Sequence, residues 1–235
     1  MRLRSPRRSA MSRLCVRLLL SALALAVTAA ASRAAGPDCA SEIAGRVQRR
    51  YEKVVDLSAH FEQTTQRVSL GTDSSDALVA KGEVVFAKPG KMRWSYASPE
   101  PSVVVSDGST LWVYDPKAKE VQKLPLGAGY LSAAGLQFLL GAGRLQDEFR
   151  VSASGCGDPI VALGLTPKRE AQYERLEMRV DRKSGVVRET TVVDLFGNRT
   201  TIAFDELREN TSPAPDLFAF TPPAGVRVID LPSAP

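Results

Sequence analysis

Acyl transfer by a Ser-His-Asp or Cys-His arrangement needs a histidine, and this chain of 235 residues has one, His60. It stands between Ala59 and Phe61 in an alternating run with no nucleophile or orienting acid placed to assist it. It reads as a structural or surface histidine. Metal binding needs converging His, Cys or carboxylate side chains, and no such spacing occurs. The carboxylate pairs Asp147 with Glu148 and Glu206 with Glu209 read as solvated faces. The glycine-rich run "LGAGYLSAAG" lacks the Gly-Lys-Ser/Thr ending of a phosphate-binding loop. The expectation is a protein with no catalytic site, metal or cofactor, whose function lies in a surface.

Of the three cysteines, Cys15 lies in a segment set apart from the rest of the chain. Residues 1–34 carry Arg2, Arg4, Arg7, Arg8, Arg13 and Arg17, then the apolar run from Leu18 to Val27, then small residues ending Ser32-Arg33-Ala34. This is the order of a secretory signal cleaved near Ala34, with an apolar stretch short for a membrane span. A retained N-terminal anchor is the alternative. Residues 35–235 then form a single exported domain. In an oxidising compartment Cys39 and Cys156 are most simply one disulfide. Closing a loop of that length stabilises by about 4–5 kcal/mol in the chain-entropy model. Two buried free thiols are the alternative.

Export also changes the electrostatics. Seven of the 31 basic residues, and none of the 26 acidic ones, fall within residues 1–34. The net charge of +5 therefore becomes −2 for the remainder. A basic footprint must sit on the folded domain to engage nucleic acid. Here it sits on the targeting segment, so nucleic acid is not an expected partner.

The elements follow from periodicity. Asp38 is a helix N-cap, and Ala40 to Val55 places Ile43, Val47, Tyr51 and Val54 at helical spacing. The period then changes to two. Strands are expected at Leu57–Val68, Leu78–Lys88, Lys91–Tyr96, Ser102–Ser106, Thr110–Tyr114 and Glu120–Leu124, separated by Pro-Gly, Pro-Glu-Pro and Asp-Gly turns. From Gly127 to Leu145 an apolar face of Tyr130, Leu131, Leu136, Leu139 and Leu140 predicts a second helix weakened by glycines. Strands resume at Glu148–Ala153, Pro159–Thr166, Gln172–Asp181, Val186–Val193 and Arg199–Phe204, with a last strand in the tail beginning at Asp216. The sum is mainly β, ten or eleven strands joined by short links, hence antiparallel, with two or three helices.

One stretch stands out. "KPGKMRWSYASPEPSVVVSDGSTLWVYDP", Lys88 to Pro116, holds both tryptophans and two of five tyrosines. Alternation puts Met92, Trp94 and Tyr96 on one face, while Val84, Phe86 and Lys88 share a face of the preceding strand. A filled core and an open apolar surface both fit this pattern. Two helices are too few to cover so wide a sheet on both sides, and the glycine-rich one has the makings of a movable lid.

The same stretch resembles the LolA family of periplasmic outer-membrane lipoprotein carriers. That family runs basic-Pro, an apolar-x-Trp, Pro, an apolar run, Ser-Asp-Gly, Leu-Trp-aromatic-Tyr and Pro. "LSAHFEQ", "LTPK" at Leu165–Lys168 and "FAFTPPAGV" follow in matching order, so the resemblance spans nearly all of the chain after the signal. It implies an incomplete, half-open antiparallel β-barrel with a helical lid over an apolar cavity that holds the acyl chains of a lipoprotein. Phe61, Met92 and Trp94 match the family's cavity aromatics, with methionine the softer filler at one position. Val84, Phe86, Leu136, Leu139 and Leu140 are expected beside them.

In the family an arginine ahead of the first proline ties the lid shut through backbone carbonyls. Lys88 holds that position here, keeping the charge but not the planar fork. The carbonyls of Gly127–Gly143 are its expected acceptors. The resemblance further implies a periplasmic, monomeric chaperone, with acylated lipoproteins as cargo, an inner-membrane ABC-type release complex as donor and an outer-membrane receptor as acceptor. A lipid- or glycolipid-binding carrier or sensor domain of the same fold is the alternative, and a structural domain with a filled core is another.

Overall fold

A computed structural model of the chain describes residues 38–68, 77–125 and 143–231. The proposed signal, residues 1–34, and the expected lid residues Leu136, Leu139 and Leu140 lie outside the described residues.

Helix α1, Cys39–Lys53, begins where the Asp38 carboxylate accepts the Ser41 N–H at 2.7 Å. Those bonds hold the Asp38 carboxyl below its usual range. Its apolar stripe buries Ile43, Ala44, Val47 and Tyr51. The chain then runs through β1 (Asp56–Gln66), β2 (Leu78–Ala87), β3 (Lys91–Ser98), β4 (Ser102–Asp107), β5 (Thr110–Asp115) and β6 (Glu120–Pro125). A four-residue helix α2, Leu145–Glu148, leads into β7 (Phe149–Ser154), β8 (Ile160–Pro167), β9 (Tyr173–Asp181), β10 (Val187–Asp194) and β11 (Arg199–Glu209). A 3-10 turn, Pro215–Phe218, and β12, Arg227–Asp230, complete the described elements.

Twelve strands form one sheet in the order β12-β6-β5-β4-β3-β2-β1-β11-β10-β9-β8-β7. Two meanders, β1–β6 and β7–β11, are thus joined along the β1–β11 seam, and the sheet does not close: β12 and β7 are its edges. The expectation of an incomplete antiparallel barrel holds with one correction. β12 pairs parallel to β6, Arg227 against Glu120 and Asp230 against Lys123. A four-residue strand carries too little pattern to declare its direction.

Other corrections are local. The first helix ends at Lys53, because Val54 is already extended. Strand β11 runs on to Glu209 past a left-handed Glu206, five residues beyond the expected end at Phe204. Glu209 does not sit on a solvated face. It receives both Nε and Nη2 of Arg50 at 2.9 and 2.8 Å and is only 18% exposed.

Helix α1 is fastened to the turns at one end of the sheet. Arg46 donates to the carbonyls of Arg182 and Lys183 in the β9–β10 turn, and Arg50 reaches Ser184 there and Glu209 on β11. The Tyr51 hydroxyl accepts the Val187 N–H at 3.2 Å. Cys39 is bonded to Cys156 in the β7–β8 turn, with Cα atoms 6.2 Å apart. The helix packs on β7, β8 and α2. Just after it, buried Asp56 accepts from Thr211 N at 2.6 Å and Ser212 N at 3.1 Å, stitching the start of β1 to the chain leaving β11.

Candidate functional site

Register across β1 to β6 sorts the side chains of one sheet face into rungs. Nearest α1 lie Leu57, Phe86, Met92, Ser106, Leu111 and Leu124. The next rung is Ala59, Val84, Trp94, Val104 and Val113, ending in the half-buried Gln122 on β6. The third is Phe61, Gly82, Tyr96 and Ser102, with Phe204 beside Phe61 on β11. Gln63 follows, flanked by Ala80 and Ile202. Alternation alone places these residues together, because the side-chain period of a strand is two.

Five of the expected wall residues, Phe61, Val84, Phe86, Met92 and Trp94, therefore share one face, and all five are buried. Gly82 makes their contact possible. A Cβ there would lie 1.9 Å from the Ser95 carbonyl oxygen and 3.0 Å from the Phe61 ring. With no side chain in the way, Phe61 lies across β2 to meet Trp94 at 4.8 Å and Tyr96 at 5.1 Å between ring centroids. Phe86 meets Trp94 edge-on at 5.8 Å. Such tilted and edge-to-face pairs add about 0.5–1.5 kcal/mol each beyond their burial.

Two polar features interrupt this face. Trp94 is 5% exposed, and its indole N–H is buried without a hydrogen-bond partner among the described residues. Leaving such a donor unmade costs about 1–3 kcal/mol. Beside it the Tyr96 hydroxyl donates to the Gln63 side-chain carbonyl at 3.0 Å. Burial raises the Tyr96 pKa, so the phenol stays protonated. Gln63 was not anticipated as part of the site. The signal was available, since it lies two residues beyond Phe61 and so on the same face.

The two tryptophans lie on opposite faces. Trp112 opposes Val105, and Val105 opposes Arg93, on the side away from Trp94. Phe220 covers Trp112 and Tyr114 at 6.2 and 5.8 Å, and Phe218 is buried nearby, so the tail fills the outer face around Val105 and Val121.

Lys88 sits immediately after β2, where its N–H donates to Val55 O at 2.9 Å. Its ammonium donates to the Tyr51 carbonyl at 2.5 Å, one of the last-turn carbonyls that a helix leaves unpaired. Desolvation lowers the Lys88 pKa, with Glu52 opposing. The acceptor thus belongs to α1; the expected 127–143 segment lies outside the described residues up to 142.

His60 faces the other way. It is 58% exposed, 3.9 Å from Glu83 across β2. Together with Glu62, Lys81, Glu83 and Asp205 it lines a groove of about 550 Å³, to which Phe61 and Phe204 also contribute. Among the described residues no group of three or more metal-ligating side chains occurs, and no helix is long and apolar enough to cross a membrane.

Residues 52–221 match the family described as Outer membrane lipoprotein carrier protein LolA. An outer-membrane lipoprotein carrier protein of Chromobacterium violaceum is 33% identical over 173 residues, covering 74% of this chain and 80% of its own. One from Nitrosomonas europaea is 32% identical over 180 residues, 75% of this chain and 84% of its own. Among solved structures, an uncharacterized conserved protein of Thermus thermophilus shares the fold at a TM-score of 0.50 and 12% identity, covering 81% of this chain and 98% of that one.

Proposed function

The chain belongs to the LolA family of outer membrane lipoprotein carriers, and on that premise we propose that it carries lipoproteins with their acyl chains held against the inner face of β1–β5. The observation that supports this reading is the register that brings Phe61, Val84, Phe86, Met92 and Trp94 onto one face, continued by the half-buried Val104 and Val113. Each methylene moved there from water contributes about 0.8 kcal/mol. A fully enclosed lipid anchor would bind too tightly to hand on. A carrier must fit its cargo imperfectly and hold a closing contact that competes with it. The Lys88 bond to the end of α1 is such a contact.

The further parts of the reading are a periplasmic location after cleavage of residues 1–34, and action as a monomeric chaperone without catalysis over 35–235. Loading energy then comes from an inner-membrane ABC-type release complex, and release runs downhill to an outer-membrane receptor. The test is binding of a hydrophobic fluorescent probe and of a purified acylated lipoprotein to the mature protein. Trp94→Glu puts a charge on the apolar face, where an unpaired ion is costly. Both ligands should bind the parent and be lost from the variant, with the β circular dichroism kept. Equal binding by the two proteins would overturn the reading.

A further inference from the structure

Polarity on the inner face changes along the strand direction. Across β1–β5 the rungs nearest α1 are hydrocarbon and aromatic, apart from Ser106, whose hydroxyl is spent on the Gly90 carbonyl at 2.8 Å. At the level of Phe61 and beyond, amide and phenol groups enter. Tyr96 donates to the Gln63 carbonyl, which orients that amide and leaves its N–H2 group donating to no described residue. The Trp94 N–H, without any partner, lies in the same cluster, its ring 6.4 Å from that of Tyr96. Hydrocarbon cannot satisfy either donor. A ligand made only of chains would leave the Trp94 N–H unpaired in the bound state and offer nothing to the Gln63 amide.

We propose that Trp94 and Gln63, the latter positioned by Tyr96, form a polar rung that binds the carbonyl oxygens of the ester or amide linkages carrying the acyl chains. The rung sets the depth of the cargo: hydrocarbon runs toward the α1 end, and the linkage rests at the level of Phe61 and Gln63. It makes the protein a reader of acylation and not of greasiness alone. This rests on the carrier reading.

The experiment compares dioctanoylglycerol with its dioctyl ether counterpart, which has the same bulk without carbonyls. Each is measured by displacement of a hydrophobic fluorescent probe from the mature protein. The parent should bind the ester about tenfold more tightly than the ether, the range of one or two net hydrogen bonds. Trp94→Phe and Gln63→Leu should each shrink the ratio of ester to ether affinity about threefold or more, whatever either does to ether affinity itself. Tyr96→Phe, which frees the Gln63 amide to rotate, should shrink it less. Equal affinity of the parent for ester and ether would overturn the rung and leave the carrier reading standing. Variants that lose ester and ether alike would also overturn it, because they would show a packing role only. Binding of neither lipid would sink the carrier reading itself.

Discussion

The two meanders share one inner face but cover it differently. On β8 and β9 the inward side chains are aliphatic and sealed: Val161, Leu163, Leu165, Leu176, Met178 and Val180 are buried, as are Ile43, Ala44 and Val47 of α1, which packs on β7 and β8. On β1–β5 they include the rings of Phe61, Phe86, Trp94 and Tyr96, with Tyr96, Val104 and Val113 half-buried and an indole N–H that has no partner among the described residues. The helix is bound to the first region by a disulfide, by Arg46 and Arg50, and by packing. Among the bonds from the β2–β3 turn, the Lys88 side chain is the one that reaches back into the helix itself. On the proposed carrier reading, one region holds the fold and the other opens. Dense aliphatic packing tolerates no vacancy, whereas flat rings at angled contacts can separate and re-form around a guest.

The largest test of this division is the disulfide. The Cys39–Cys156 bond spans 117 residues and ties α1 to the stable region. Replacing both cysteines by serine should cost about 4–5 kcal/mol in denaturant unfolding, with probe affinity unchanged wherever the fold persists. A stability loss under about 1 kcal/mol would show that α1 is held by its other contacts. Next in size is a pair of truncations. Leu165→Ala, in the sealed region, should cost about 3 kcal/mol. Val104→Ala, on the half-buried face, should cost less than about 1 kcal/mol, since little packing is lost there. Equal costs would erase the contrast between the regions.

Much of this contrast was legible before any coordinates. Alternation located eleven of the twelve strands among the described residues, and parity put Met92, Trp94 and Tyr96 on one face. The amphipathic stripe of α1 and the pairing of its neighbouring cysteine were also readable. What alternation cannot report is which face a second aromatic strand presents. Trp112 and Trp94 look alike in sequence, yet three strands of register separate inward from outward, and Phe220 is the cover for Trp112 from far along the chain. The parallel β12 was hidden because four residues carry no directional pattern. The Lys88 acceptor was hidden because it is a backbone carbonyl, and any helix end offers several. The orphaned Trp94 N–H is an absence of a partner, which no residue spacing encodes.

Alkaline titration probes the joint between the two regions. Tyr51 lies beneath the Lys88 contact and also takes the Val187 N–H, and burial pushes its pKa from 10.0 up to about 12. The unfolded chain releases this proton first, so the folded state binds more protons between those values. Stability from this residue is complete below about pH 10 and falls as pH rises toward about 12, by about 2–3 kcal/mol in all. Tyr51→Phe should be less stable at neutral pH, having lost the acceptor for Val187, but should lose less on going from about pH 9 to about pH 11. A parallel decline in parent and variant would place the alkaline sensitivity elsewhere.

The smallest expected effect in stability is the most direct for transport. Lys88 reaches from the end of β2 to the Tyr51 carbonyl, so it joins the region that opens to the region that does not. A hydrogen bond from a charged donor contributes about 1.5–3 kcal/mol. About 1.5 kcal/mol still moves an open–closed equilibrium roughly tenfold. Lys88→Leu should therefore lower stability by no more than about that amount while favouring the open form, so that cargo is retained and passed on more slowly. Lys88→Arg can add a second donor to neighbouring carbonyls at the helix end and should release cargo faster, with weaker loading. The measurement is transfer of a bound lipoprotein to acceptor membranes or receptor, run in parallel for the three proteins. Slower transfer by the leucine variant together with faster transfer by the arginine variant would make Lys88 the closing contact. Equal rates from all three would return it to the role of a residue that merely ends β2.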